Sequence, residues 1–185
     1  MRKIIRRLLA ATAAGVLVCA AGCARRKGSE ETAARLLRVA EIHAVYAEGY
    51  VAGYRDSALR DGRPQKEIDC FANKVTPELV LPALTDAYSK EFSDDELRHA
   101  ISFFESETGK SFIRYQRNLA KAAIGNPTEE VPEFSPPEAD RINAFVETRI
   151  GRLIMNPDSA PMFATAKAEL HRQISGVITE CRNAR

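Results

Sequence analysis

Three helix-start signatures constrain the fold of this chain more than any other feature. Thr76-Pro77-Glu78 joins an N-cap hydroxyl to a proline at the first helical position and an early acid. Ser93-Asp94-Asp95-Glu96 and Ser135-Pro136-Pro137-Glu138 each set a hydroxyl three residues before a glutamate. At that spacing the two side chains can satisfy each other's backbone donors. Beyond the second signature, Leu97, Ile101 and Phe104 recur at helical spacing. No segment alternates polar and apolar residues with period two, so the spacing predicts an all-α chain, an antiparallel helical bundle of about six to seven helices.

The remaining punctuation sets the expected elements. Ser29 to about Arg60 reads as one long helix or two in succession, and Asp61-Gly62-Arg63-Pro64 as a turn. Gln65 to about Lys74 is a short helix. The helix from Pro77 carries Pro82 one turn inside, a place for a bend. Gly109 is expected to separate the helix capped by Ser93 from one running to about Ala123. Residues 125–137 hold four prolines and form an extended Pro-rich loop. A helix follows over about 138–154, and the last runs from about Ala160 into Cys181. A weak echo links Ile101, Phe104 and Phe112-Ile113 with Ile142, Phe145 and Leu153-Ile154. In that pairing Gly109 and Gly151 fall out of step by one, so it reads equally as two unrelated amphipathic helices.

The first residues govern location. Arg2, Lys3, Arg6 and Arg7 precede an apolar run from Leu8 to about Ala21, the charged and apolar regions of a secretory signal. That run is shorter and more alanine-rich than a membrane span, which needs about 20 predominantly apolar residues. It ends in Ala20-Ala21-Gly22-Cys23, which resembles the lipobox of bacterial lipoproteins, with Ala20 where an aliphatic residue is usual. The expected organisation is a signal peptide over 1–22, a lipidated tether over 23–29 and a single helical domain over 30–185. The alternative is a soluble secreted protein cut at Ala20-Ala21. By the sorting pattern of such lipoproteins, Ala24 implies the periplasmic face of the outer membrane. Arg25, Arg26 and Lys27 would lie beside anionic headgroups, each contributing about 1 kcal/mol.

Cleavage before Cys23 removes four basic residues and no acidic ones, moving the formal net charge from +2 to −2. The mature chain therefore has no basic surplus with which to neutralise phosphates, and nucleic acid is not an expected partner. Of the four cysteines, Cys19 leaves with the signal and Cys23 takes the lipid. Cys70 and Cys181 remain, and an oxidising compartment invites a disulfide between them; two separate reduced thiols are the alternative.

Few residues suggest chemistry. Tyr46, Tyr50 and Tyr54 form a stripe with Leu36, Val39 and His43, read as a packed core face or as a ligand-stacking surface. Gly49 and Gly53 stand one turn apart on a neighbouring face, suited to close approach of a helix or to a kink. His99 follows Asp95 by one helical turn, the spacing of two metal ligands or of a solvated pair. No third ligand is recognisable, so no metal or cofactor is expected. Gly109-Lys110-Ser111 imitates the end of a phosphate-binding loop, but Phe104 stands where its first glycine belongs.

The stretch Tyr88-Ser89-Lys90-Glu91-Phe92-Ser93-Asp94-Asp95-Glu96-Leu97, followed by Ala100-Ile101-Ser102-Phe103-Phe104-Glu105-Ser106-Glu107-Thr108-Gly109-Lys110, resembles the family catalogued as domain of unknown function 2059. The resemblance spans roughly residues 65–125, and Glu107 stands where proline is common. It implies an exported helical bacterial protein and carries over no catalytic residue. The expectation is a non-catalytic envelope module, held to the membrane through Cys23, that binds a protein or glycan partner. The alternatives are a small periplasmic hydrolase or metal-dependent enzyme built on Asp95 and His99, and a carrier with an apolar groove beneath the tyrosines.

Overall fold

The computed structural model describes residues 28–123, 133–156 and 161–183. The expected signal peptide over 1–22, Cys23 and most of the expected Pro-rich loop lie outside the described residues. Those described form nine helices and no strand: α1 Glu30–Val39, α2 Ile42–Arg60, α3 Gln65–Lys74, α4 Pro77–Glu91, α5 Asp94–Glu105, α6 Glu107–Ala123, α7 Pro136–Val146, α8 Arg149–Met155 and α9 Pro161–Asn183. The three signatures cap α4, α5 and α7 as their spacing requires. The Thr76 hydroxyl accepts from the Leu79 N–H, and the carboxylates of Glu96 and Glu138 accept from the backbone N–H of Ser93 and Ser135.

The number of helices exceeds the expected six to seven because two breaks are sharper than composition suggests, and a third, already expected, is displaced. The segment 29–60 divides at Glu41, whose φ of 54° places a non-glycine residue in the left-handed region. The stretch 138–154 divides at Glu147-Thr148. The break after α5 falls at Ser106, with Gly109 inside the first turn of α6 rather than between the helices.

The last two breaks are the same device. Ser106 Oγ donates to the Phe103 carbonyl at 2.6 Å and accepts from the Gly109 N–H at 3.0 Å. Thr148 Oγ1 donates to the Phe145 carbonyl at 2.6 Å and accepts from the Gly151 N–H at 3.0 Å. Each glycine lies so close to the preceding turn that a Cβ would sit 2.0 Å from the Phe103 or Phe145 oxygen. The structure therefore pairs Ser93 with Ser135, Phe103 with Phe145 and Gly109 with Gly151, which restores the glycines to step. The two hairpins meet through their first aromatics, Phe103 and Phe145, stacked at 4.0 Å and 6°.

Helix α4 is the axis of the core. Val80, Leu84 and Tyr88 are buried along it, together with Leu36 and Leu37 of α1, Leu97 of α5 and Leu170 of α9. The long helix α9 runs antiparallel to α4: Tyr88 meets Phe163 edge-on, while Pro82 and Ala83 lie by Gln173. Pro82 faces outward on α4, where its ring clears the core. The far end of α9 closes a smaller core of Phe71, Val75, Ile174 and Cys181. Cys70 and Cys181 are joined there in a disulfide across a sequence separation of 111 residues.

Candidate functional site

The outer wall of α2 turns its tyrosines toward α9, and two adjoining hollows open there. The larger, of about 390 Å³, is lined by Val45, Tyr46, Gly49, Tyr50, Leu84, Phe163 and Leu170, with Lys167 at the edge. The smaller, of about 210 Å³, lies between α2, α6 and α8 and is lined by Ile42, Val45, Tyr46, Phe112, Ile113 and Met155 among others, with Arg117 at its rim. Val45 and Tyr46 belong to both and form the ridge between them. Val45 and Met155 are unusually open for their type, at 39% and 38% exposure. Together the hollows make a largely apolar, two-chambered furrow, of the volume and composition of ligand pockets in general.

The geometry assigns each member a part. Tyr46 and Tyr50 are half-buried and rest on the main core, so their rings form wall and floor rather than a free stacking surface. Burial raises the Tyr50 pKa above its ordinary value. A Cβ at Gly49 would meet nothing within 4 Å, and the same is true at Gly53, so neither glycine serves close helix approach. Helix α2 also runs unbroken past both, so they mark no helix break. At Gly49 the missing side chain instead leaves the larger hollow open. Arg117 is held by Glu41 at 2.5 Å and Glu48 at 2.8 Å, which fixes that rim.

Tyr54 departs from the stripe. Its ring stacks on Phe71 at 3.9 Å, and its hydroxyl donates to Glu67 Oε1 at 2.6 Å. Glu67 is buried, and Arg182 Nε donates to the same oxygen at 3.2 Å. The Tyr54 hydrogen bond, aided by Arg182 and Arg63, holds the Glu67 carboxyl below the usual carboxylate range despite its burial. This buried acid ties α2, α3 and α9 together beside the disulfide. Sequence reasoning missed it, although Glu67 falls one turn before Phe71 on the apolar face of α3. Lys74 adds an exposed pair to Glu180 across the same seam.

The histidines lie apart from the furrow walls. His99 is exposed on α5, while the Asp95 carboxylate one turn earlier pairs with Arg98 at 3.1 Å. Among the described residues no three His, Cys, Asp or Glu side chains are grouped to hold a metal. His43 Nδ1 lies 2.9 Å from the Leu37 carbonyl and bridges the α1–α2 junction, and His171 is exposed on α9. Arg149 is a structural tie. It pairs with Glu91 and with Glu96 at 3.2 Å, and lies over the Phe92 ring at 5.1 Å, locking α8 to the α4–α5 corner. Leu84, Phe163 and Leu170, which complete the larger hollow, carry no sequence signal of that role because α4 and α9 are remote in the chain.

No described helix is long and apolar enough to cross a membrane. No curated protein and no solved structure matches the chain. Residues 80–130, which take in most of α4 and all of α5 and α6, match the model of the family described as uncharacterized protein conserved in bacteria (DUF2059), the family that Tyr88 to Lys110 resemble.

Proposed function

We propose that this chain is an exported, lipid-anchored envelope protein that binds another protein rather than turning over a substrate. The observation that carries this reading is the pair of hollows divided by Val45 and Tyr46. Two chambers on either side of a ridge suit two anchor side chains of an apolar segment, the arrangement used when an amphipathic helix docks in a groove. A single acyl chain would need one continuous channel. A glycan would need flat exposed rings and a polar lining, whereas these tyrosines are half-buried and their neighbours largely apolar. The charged and apolar leader ending at Cys23 supports export and acylation, and Ala24 supports the outer membrane.

Two substitutions on one helix test the furrow. Gly49→Trp fills the larger hollow, whereas Gly53→Trp adds the same ring outside it, and neither added Cβ meets an obstacle. After crosslinking in intact cells, the partner captured by the unmodified protein should be retained by G53W and lost by G49W. Equal capture by both overturns the proposal. A lipid that co-purifies with the unmodified protein in native mass spectrometry and is lost from G49W would establish a carrier instead. The mass of the mature N-terminal peptide tests the anchor: acylated Cys23 is expected, and an unmodified terminus refutes it.

A further inference from the structure

We infer that the protein stands on its membrane by the corner where α4 meets α5, with the disulfide end raised away from the lipid and the furrow on the side wall between. This stance rests on the anchored reading of Cys23 and adds to it an orientation.

The first described residues are stitched to that corner. The Gly28 N–H donates to the Phe92 carbonyl at 2.7 Å, and the Ser29 N–H donates to Asp94 Oδ1 at 2.7 Å. Ser29 also caps α1 through the Thr32 N–H at 3.0 Å. Gly28 fits a notch that admits no side chain: a Cβ would fall 2.4 Å from a Leu97 methyl and 2.8 Å from the Phe92 carbonyl oxygen. The chain thus leaves the fold at one defined point. Only four residues lie between Cys23 and Gly28, and the five Cα–Cα steps that join them reach at most about 18 Å when fully extended.

That leash is short beside the molecule. Pro82, ten residues before Phe92, is at helical rise about 15 Å from the corner; Gln173 of α9 lines the same hollow as Pro82, and Gly176 is nearly a turn farther along α9. Cys181 and its disulfide lie beyond that. The corner surface is acid-rich, with Glu30, Glu31, Asp94 and Asp95 at the starts of α1 and α5. It would therefore not lie flat on anionic headgroups. Arg25, Arg26 and Lys27 come between Cys23 and Gly28 in the sequence, and their charge complements both these acids and anionic lipid. Standing so, the furrow faces the aqueous side, where a partner protein can reach it.

The chain contains no tryptophan, so a single one reports position without background. Asp95→Trp marks the corner, and Gly176→Trp marks an exposed site toward the far end where a Cβ meets nothing within 4 Å. Each protein, beginning at Cys23, is coupled through that thiol to a maleimide lipid in anionic vesicles containing a dansyl headgroup lipid. Cys70 and Cys181 are spent in the disulfide. Coupling in this way separates the stance from the question of whether cells acylate Cys23. Energy transfer should be strong from position 95 and weak from 176. Equal transfer, or the reverse order, overturns the inference. Adding Gly28→Val, which cannot occupy the notch, should shrink the difference while helix content holds. If that variant fails to fold, the ordering of the two single-tryptophan proteins still decides.

Discussion

Replacing Gly109 by alanine sets two physical effects of opposite sign against each other, and the geometry decides which wins. Helix propensity favours the change, since alanine is better than glycine by about 1 kcal/mol inside a helix. The space does not exist, however. The new Cβ would lie 2.0 Å from the Phe103 oxygen and 2.6 Å from the Phe104 Cα, both backbone atoms that no rotamer change can move. Ordinary carbon contacts are about 3.5–4.0 Å, so the α5–α6 corner must open by at least about 1 Å. Overpacking of this kind costs about 1–3 kcal/mol. Opening the corner also pulls Gly109 from its Ser106 cap, and a cap is worth about 1 kcal/mol. The net expectation is a loss of about 1–3 kcal/mol, which for a domain of this size lowers Tm by about 2–4 °C per kcal/mol. Gly49→Ala provides the control: nothing obstructs its Cβ, so it should keep the propensity gain and raise Tm by a few degrees. Thermal and urea unfolding followed by far-ultraviolet circular dichroism measures both. G109A melting at or above the unmodified protein, or both variants shifting in the same direction, would refute the reasoning.

Three further outcomes are expected. Replacing Cys70 and Cys181 by serine opens a loop spanning 111 residues and should cost about 4–5 kcal/mol by the chain-entropy account, read as a lower urea midpoint matched by reducing the unmodified protein. Glu67 has a folded pKa below its unfolded value, so it contributes stability above the unfolded pKa that is lost as pH falls through the folded one. In urea titrations across acid pH, the advantage of the unmodified protein over Glu67→Gln should therefore shrink on acidification, and a constant gap would contradict the assignment. Tyr54→Phe leaves the buried Glu67 oxygen with Arg182 alone and should cost about 1–3 kcal/mol, most of it absent when Glu67 is already alanine.

The local signals were legible because they act within one or two helical turns. Thr76, Ser93 and Ser135 announced their helices, since an N-cap is a contact three residues long and needs no tertiary partner. The breaks at Ser106 and Thr148 were written in the same alphabet but harder to read. A hydroxyl that closes one helix and opens the next resembles an ordinary mid-helix residue until the chain is seen to turn there. Pairing by apolar residues placed the echo one position out of step; the glycines set the true register, because close backbone approach tolerates no alternative residue.

What the sequence by itself determined was helical class and most helix starts, and it marked Cys70 and Cys181 as candidates to pair. Only the tertiary structure decided that Tyr46 and Tyr50 line a furrow while Tyr54 leaves them to hold Glu67. Helical periodicity specifies a face but not what the face meets. The opposing wall of Phe163 and Leu170 arrives from α9, more than a hundred residues along the chain, and folding alone brings it there.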